Sequence, residues 1–461
     1  MTIQGTIECE NVSNSVIEVY SYTGHSDGGV VAFCPTDNRT NHVGRLLVHD
    51  PTVIGSGTTL LESPVIPSGT SGIGDGAILN ITEYGHLMVT GGVLRTTVPR
   101  HICQNARLTI SGGIADFSAA ANGYELLHGH MGRATTTIKN GGKLMVSTIR
   151  MSGDNGSYYT EASNSVVNVE TGGVLSVSRT IYIPDNYNYG KKGTLAFNGG
   201  MLEWAHPTSG MYMENGDREK TTKGLVLKAL EGGMNVTNSN AFYIGVPVVS
   251  GAEHDGGVTK RGTGVFALMG KCTFNGPLTV MQGDFRLGGS NVLNSNITMR
   301  VNTGVNFIMN TYSQRLARIE GSGSIWGTGA AGTATLTVTS AIAPGMGENS
   351  IGTLRVVEHA LDIEDEVALE IDVDAEGHSD CLLYSVNSHD PLDLSKMTLK
   401  INDLTKLNAN KKYVIATADG GVVNGKLFKS TNLPATWGVR YVASSHEVQL
   451  FPIRGTKLFF R

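Results

Sequence analysis

SVVNVETGGVLSV, residues 165–177, carries two runs of alternating apolar and polar residues on either side of a Gly-Gly pair. Val167 and Val169 share one parity before the glycines, and a period of two puts them on one face of an extended strand. A helix is hard to defend, because the flanks are rich in β-branched residues and Thr-Gly-Gly supplies the positive φ values of a tight corner. The unit recurs around Gly91-Gly92, Gly112-Gly113, Gly141-Gly142, Gly199-Gly200 and Gly232-Gly233. With Gly172-Gly173 included, the spacings are 21, 29, 31, 27 and 33 residues, a period of about 28 that tolerates insertion.

A Gly-Gly corner could join antiparallel hairpin strands, or it could bend a coil whose strands stack on those of the next. The second geometry fits better, because a unit of two short strands cannot bury its own face and gains by stacking on near-identical neighbours. Parallel crossovers of this kind are right-handed. The fold expected is all-β, a right-handed parallel β-helix with a C-terminal β-rich cap. A propeller needs four strands in about 40–50 residues, more than these units supply. Val167, Val169, Leu175, Leu195, Phe197 and Leu202 are expected to be buried and paired in parallel with strands one period away. Gly199 is expected to hold a positive φ, so that Gly199→Val costs about 1–3 kcal/mol, more than a change at Ser209.

Composition agrees with a folded solenoid. Of 461 residues 60 are Gly and 13 Pro, yet 40% are apolar and 16% charged, which excludes disorder, and the glycines lack the every-third-residue period of collagen. The net charge of −5 and the lack of a basic block argue against nucleic-acid binding. No apolar run is long enough for a membrane span, and MTIQGTIECENVSNS has no signal-peptide pattern, so the chain is expected either to stay unexported or to have lost a leader. Cys9, Cys34, Cys103, Cys272 and Cys381 are scattered and form no disulfide framework or zinc motif.

From residue 256 the pattern sharpens. GGVTKRGTGVFALMGKCTFNGPLTVMQGDFRLGG, residues 256–289, closely resembles the autotransporter-associated β-strand repeat of bacterial passenger domains, with Thr259, Lys260, Gly262, Gly264, Leu268, Gly270, Phe274, Gly276, Thr279, Val280, Gly283 and Leu287 at the positions of that repeat. SQRLARIEGSGSIWG (313–327), IAPGMGENSIGTLRV (342–356) and DEVALEIDVDAEGHSDCLLYS (365–385) resemble the segments that follow it in such proteins. The resemblance implies one or two right-handed β-helix coils in 256–289 and a secreted or cell-surface bacterial protein. The sequence to LFPIRGTKLFFR is not expected to include the translocator barrel of a complete autotransporter. The division expected is an N-terminal β region with the first coils (1–75), Gly-Gly coils with long loops (76–255), autotransporter-type repeat coils (256–345) and a β-rich cap (346–461).

Catalytic patterns are sparse. A polygalacturonase-like hydrolase would show Asn-Thr-Asp, Asp-Asp and Gly-His-Gly, and none is complete; His128-Gly129-His130 with Arg133 comes nearest and is expected on a loop. Glu214, Asp217, Arg218, Glu219 and Lys220 form a charge run expected to be a solvated loop. The glycines from 321 to 329 are turn residues, with no helix to make a dinucleotide fingerprint. Asp362, Glu364, Asp365, Glu366, Asp372, Asp374 and Asp380 match no EF-hand spacing and are expected mostly as outward, solvated carboxylates, so no metal or other cofactor is expected.

One positional regularity points to a binding face. The insertions 119–133, 148–165, 179–193 and 205–224 all follow the second strand of a unit. Stacked coils would gather them on one side, bringing Tyr124, Tyr158, Tyr159, Tyr187, Tyr189, His206 and Tyr212 near Asp154, Asp185, Asp217 and Arg218. Per-repeat insertions mark binding faces in repeat proteins, and aromatic rings with amide and carboxylate neighbours suit glycans or protein surfaces. The reading is a non-enzymatic extracellular or cell-surface structural and adhesive module. It is expected to be a monomer that contacts glycan or protein through this flank, with no nucleic-acid partner and no membrane insertion. The alternative is a polysaccharide lyase or glycoside hydrolase on a β-helix scaffold, followed by a phage-tailspike-like fibre.

Overall fold

In a computed structural model of the chain, the described residues are 106–118, 125–129, 133–151, 164–182, 192–205, 211–214, 225–229 and 232–453, with gaps at 328–333, 347–349, 359, 386–389 and 424–426, together with short stretches between 2 and 102. The chain divides into two compact units, Met1–Val258 and Thr259–Arg461. The fold is all-β, a right-handed parallel β-helix ending in β structure. Among the described residues no helix is long and apolar enough to cross a membrane.

In the first unit the strand before a Gly pair does not pair with the strand after it. Asn164–Glu170 lies parallel between Ala134–Lys139 and Lys192–Asn198, while Val174–Tyr182 lies parallel between Lys143–Met151 and Met201–Trp204. Strands preceding the glycines belong to a ten-stranded parallel sheet running from Thr2–Ile3 to Val248–Ser250. The Gly-Gly corner therefore passes the chain from one sheet to another. Val167 faces Leu195 and Leu175 faces Leu202, 28 and 27 residues on. All six residues expected in the interior are buried to 1% exposure or less. Each fully buried Val, Leu or Phe contributes roughly 1.5–3 kcal/mol, so the ladders of like residues carry the stability of the coils.

The two glycines of a corner do different work. Gly141, Gly172 and Gly199 have φ of 81°, 76° and 78°, the left-handed region that a Cβ disfavours. Their successors are needed for close approach: a Cβ on Gly142, Gly173 or Gly200 would stand 2.3, 2.2 or 2.4 Å from the carbonyl oxygen of Ile110, Ile138 or Val169 in the preceding coil.

A third strand per coil lies inside stretches that the sequence marks as insertions. Lys143–Met151 shifts register between Val146 and Thr148, and its second half pairs with Glu125–His128 on one side and with Thr180–Tyr182 on the other. Met211–Glu214 continues this ladder, with Met213 facing Ile181. Leu126, Ile149 and Ile181 point inward along it. These segments are only a few residues long and sit beside polar loops, so their alternation is weak in the sequence.

The second unit uses shorter coils. Phe266, Phe285 and Phe307 stand in register 19 and 22 residues apart, their rings tilted against one another with centroids 5.8 and 5.6 Å apart. Lys260 shares the inward parity of its strand and is fully buried. Its Nζ donates to the carbonyls of Arg261 (2.7 Å), Gly262 (2.6 Å) and Gln282 (3.1 Å). Gly262 and Gly283, with φ of 76° and 69°, form the corners beside these carbonyls. Parallel pairing continues as far as Thr398–Ile401 with Ser430–Thr431. Antiparallel ladders among the described strands join Glu447–Pro452 to Tyr413–Ala418 and to Trp437–Val442. Such a reversal gives the last parallel strands a partner that cannot be extended by another coil.

Candidate functional site

Of the residues singled out for the loop flank, Tyr124, Tyr158, Tyr159, Tyr187, Tyr189, His206, Asp217 and Arg218 lie outside the described residues, as do Asp154 and Asp185. Tyr212 falls in the strand Met211–Glu214, at the register position of Tyr243. The insertions therefore leave from the end of the third strand of a coil, at Met151, Tyr182 and Glu214, and not from the end of the second. Arg150 and Tyr182 are register partners near those ends, with the guanidinium 4.4 Å from the ring centroid.

His128 is not on a loop. It ends the strand Glu125–His128 with the same parity as the buried Leu126, so its ring takes an interior slot and is fully buried. Nδ1 meets the Ser165 hydroxyl and Nε2 lies 2.8 Å from Thr136 Oγ1. Burial pulls its pKa from 6.5 down to about 3. A neutral imidazole enclosed by two hydroxyls is a satisfied core group. The sign of its pH effect follows: between those two values the unfolded chain binds the extra proton, so stability is full above about pH 6.5 and is lost as pH falls toward 3. The expected slope is up to about 1.4 kcal/mol per pH unit. Denaturant titrations from pH 7 to 4 should show a flatter profile for His128→Gln than for the parent, and identical slopes would refute the assignment.

A connected constellation of charged side chains lies in the second unit. Register stacks Arg300 on Glu320, Glu320 on Ala343, and Glu370 on Lys400, all outward-facing. Arg318 lies over the small Ala341 and so reaches across a rung. Its Nε donates to Glu320 (2.6 Å) and its Nη2 to Glu370 (2.7 Å); Arg300 Nε donates to the other Glu320 oxygen (2.5 Å) and Lys400 Nζ to the other Glu370 oxygen (3.0 Å). The result is a ladder of alternating charge along the coil axis. Around it Ala343, Pro344, Gly345, Asp372, Asn402 and Asp403 complete a groove of about 640 Å³.

The electrostatics of this groove argue against acid–base chemistry. Burial would raise the Glu370 pKa, but the hydrogen bonds and charges of Arg318 and Lys400 outweigh it and hold the carboxyl below its usual range. All four oxygens of Glu320 and Glu370 accept from a cation, and the Glu370 carboxyl, held below its usual range, is not poised to donate a proton at neutral pH. The carboxyl with a donor-like pKa is Asp380, pushed up to about 7 by burial and by Asp372, against hydrogen bonds from the Asp372 and Gly352 amides. Asp380 is 1% exposed and does not line the groove.

Elsewhere in the acidic stretch Asp362, Asp365 and Glu366 are exposed, Glu364 and Asp374 are half-buried and Asp372 is buried, and several of these carboxylates also take part in pairs. Glu364 binds Arg315, Lys429 holds Asp365 (2.7 Å) and Glu366 (3.2 Å), Asp374 pairs with His378 (2.6 Å), and Asp372 accepts from Asn402 (3.2 Å). Among the described residues no group of three His, Cys, Asp or Glu is placed to hold a metal ion. Cys272 and Cys381 are free thiols, and burial raises the Cys381 pKa to about 11, leaving it unreactive. Cys9, Cys34 and Cys103 lie outside the described residues.

No family model matches the chain. It is similar to autotransporter passenger proteins. One relative is an extracellular serine protease of Serratia marcescens, 30% identical over 183 residues, covering 38% of this chain and 15% of that protein. Another is the adhesin BmaC autotransporter of Brucella suis biovar 1 (strain 1330), 25% identical over 305 residues, covering 60% of this chain and 8% of that protein. The chain thus spans a small part of the length of each.

Proposed function

We propose that this chain is a non-enzymatic structural and adhesive β-helix module of a secreted or cell-surface protein, contacting glycan or protein surfaces through its loop-bearing flank. The observation that carries the reading is the register of the third strands: Leu126, Ile149, Ile181 and Met213 stack in order, so the insertions that follow leave from equivalent points of successive coils. Similarity to an adhesin over more than half of the chain supports an adhesive role, and similarity to secreted passenger proteins supports the location. The cation-locked carboxylates of the groove favour binding over hydrolysis.

The test is a variant with Tyr158, Tyr159, Tyr187 and Tyr189 all changed to Ser. It is expected to lose adhesion to host-cell preparations and glycan surfaces retained by the parent, with an unchanged circular dichroism spectrum. Undiminished adhesion of the variant would overturn the flank. Release of reducing ends or unsaturated sugars from polysaccharide by the parent would replace the adhesive reading with a hydrolase or lyase.

A further inference from the structure

The second unit carries a flat outer sheet face whose chemistry differs from that of the charged ladder. Its strands Asp284–Leu287, Asn306–Ile308, Ser324–Trp326 and Thr353–Val357 stack in parallel register. Two outward rows result, one of Asp284, Asn306, Ser324 and Arg355, the other of Arg286, Ile308, Trp326 and Val357. Phe285, Phe307, Ile325 and Val356, at the alternate positions, fill the interior.

Trp326 stands out on this face. It is 46% exposed, whereas the other two tryptophans, Trp204 and Trp437, are 1% and 9% exposed. Ile308 and Val357 flank it along its row, so the indole lies on a shelf of apolar side chains and not at a loop tip. On one side, two rungs away, is Arg286; on the other, one rung away and diagonal, is Arg355. Among the described residues neither arginine forms an ion pair, and Arg286 Nε is buried with no hydrogen-bond partner. The nearest carboxylate in the rows, Asp284, accepts from Asn306 Nδ2 (2.9 Å). Rungs are about 4.8 Å apart, so the two guanidinium groups bracket the indole over roughly 14 Å along the coil axis.

We propose that this face binds an acidic glycan laid across the strands, one pyranose ring stacked on Trp326 and its carboxylates paired with Arg355 and Arg286. A sugar ring presents apolar C–H groups to an aromatic plane and hydroxyls at its rim, where Ser324 and Asn306 stand; a planar guanidinium matches a carboxylate through paired N–H donors. The complementarity is of charge as well as shape, because an exposed Arg355 and a half-buried Arg286, neither ion-paired among the described residues, stand on the same face as an exposed ring. This site is separate from the loop flank and does not depend on it.

Because Trp326 is the one strongly exposed tryptophan, its fluorescence reports on the site directly. Titration of the whole chain with an oligogalacturonate is expected to shift and protect this emission from acrylamide quenching, with weaker effects from an uncharged oligosaccharide of the same length. Trp326→Ala should weaken oligogalacturonate binding, read by calorimetry, about tenfold or more, in the manner of an aromatic anchor. Trp326→Phe should retain part of it, and Arg355→Gln should remove the preference for the acidic over the neutral sugar. The variant lacking the four loop tyrosines should bind oligogalacturonate as the parent does, which separates failure of this site from failure of the flank. The proposal is overturned if oligogalacturonate does not bind, if poly-glutamate protects Trp326 equally well, if Trp326→Ala binds like the parent, or if the emission changes with protein concentration alone, which would assign the face to self-association.

Discussion

Gly200→Ala is expected to cost on the order of 3 kcal/mol, more than Gly199→Ala, although Gly199 is the glycine with the unusual backbone. At Gly199 the penalty is that of holding a side chain at φ 78°, about 1–2 kcal/mol, and the nearest obstacle is the hydroxyl of Thr171, which can rotate away. At Gly200 the new Cβ would stand 2.4 Å from the carbonyl oxygen of Val169 and 2.6 Å from its carbon. That obstacle is backbone, fixed in the parallel ladder that joins Asn164–Glu170 to Lys192–Asn198. Relief requires the two coils to separate, which breaks ladder hydrogen bonds and opens the packing of Val169 on Phe197. Denaturant unfolding of the two variants gives the comparison. An equal or smaller loss at Gly200 would mean that the rungs are spaced more widely than described.

The same pair shows how far the sequence could be read. Alternation in SVVNVETGGVLSV identifies strands, and the Gly pair identifies a corner, because both are local properties of the chain. That stacking is parallel follows from the short unit, which has no second way to bury its face. The need for Gly at the second position is not local, since the obstacle belongs to a residue 31 positions earlier. The same limit hid the third strand, the interior place of His128, and the charge ladder. Arg318 and Glu370 are 52 residues apart and meet only once the register of the intervening coils is known. His128 left one usable signal, its shared parity with Leu126, which the neighbouring Gly129 and His130 obscured. For the proposed sites the division is similar. The flank tyrosines are recognisable by composition, whereas the Trp326 shelf depends on which residues of other strands fall beside it.

Lys260→Met is expected to destabilise the second unit by on the order of 3 kcal/mol, while Met at the adjacent, exposed Arg261 changes little. The resemblance to the autotransporter-type repeat marks Lys260 as a motif position without giving a reason for it, and the fold supplies one. Where two successive coils turn, the carbonyls of Arg261, Gly262 and Gln282 converge on the Lys260 ammonium, which brings three donors to three acceptors. Burial pulls its pKa down to about 8, with Asp284 opposing, so the group remains charged at neutral pH. Met preserves the length and much of the volume of the stem, so the loss isolates the polar contribution: three part-buried carbonyls would lose the ammonium that now donates to them. Amide exchange should accelerate at Met281, whose N–H donates to the Lys260 carbonyl, and across the corner at Gly283. A Met variant as stable as the parent, with unchanged exchange at Met281, would show that the corner holds without the ammonium and that the stem alone accounts for the lysine.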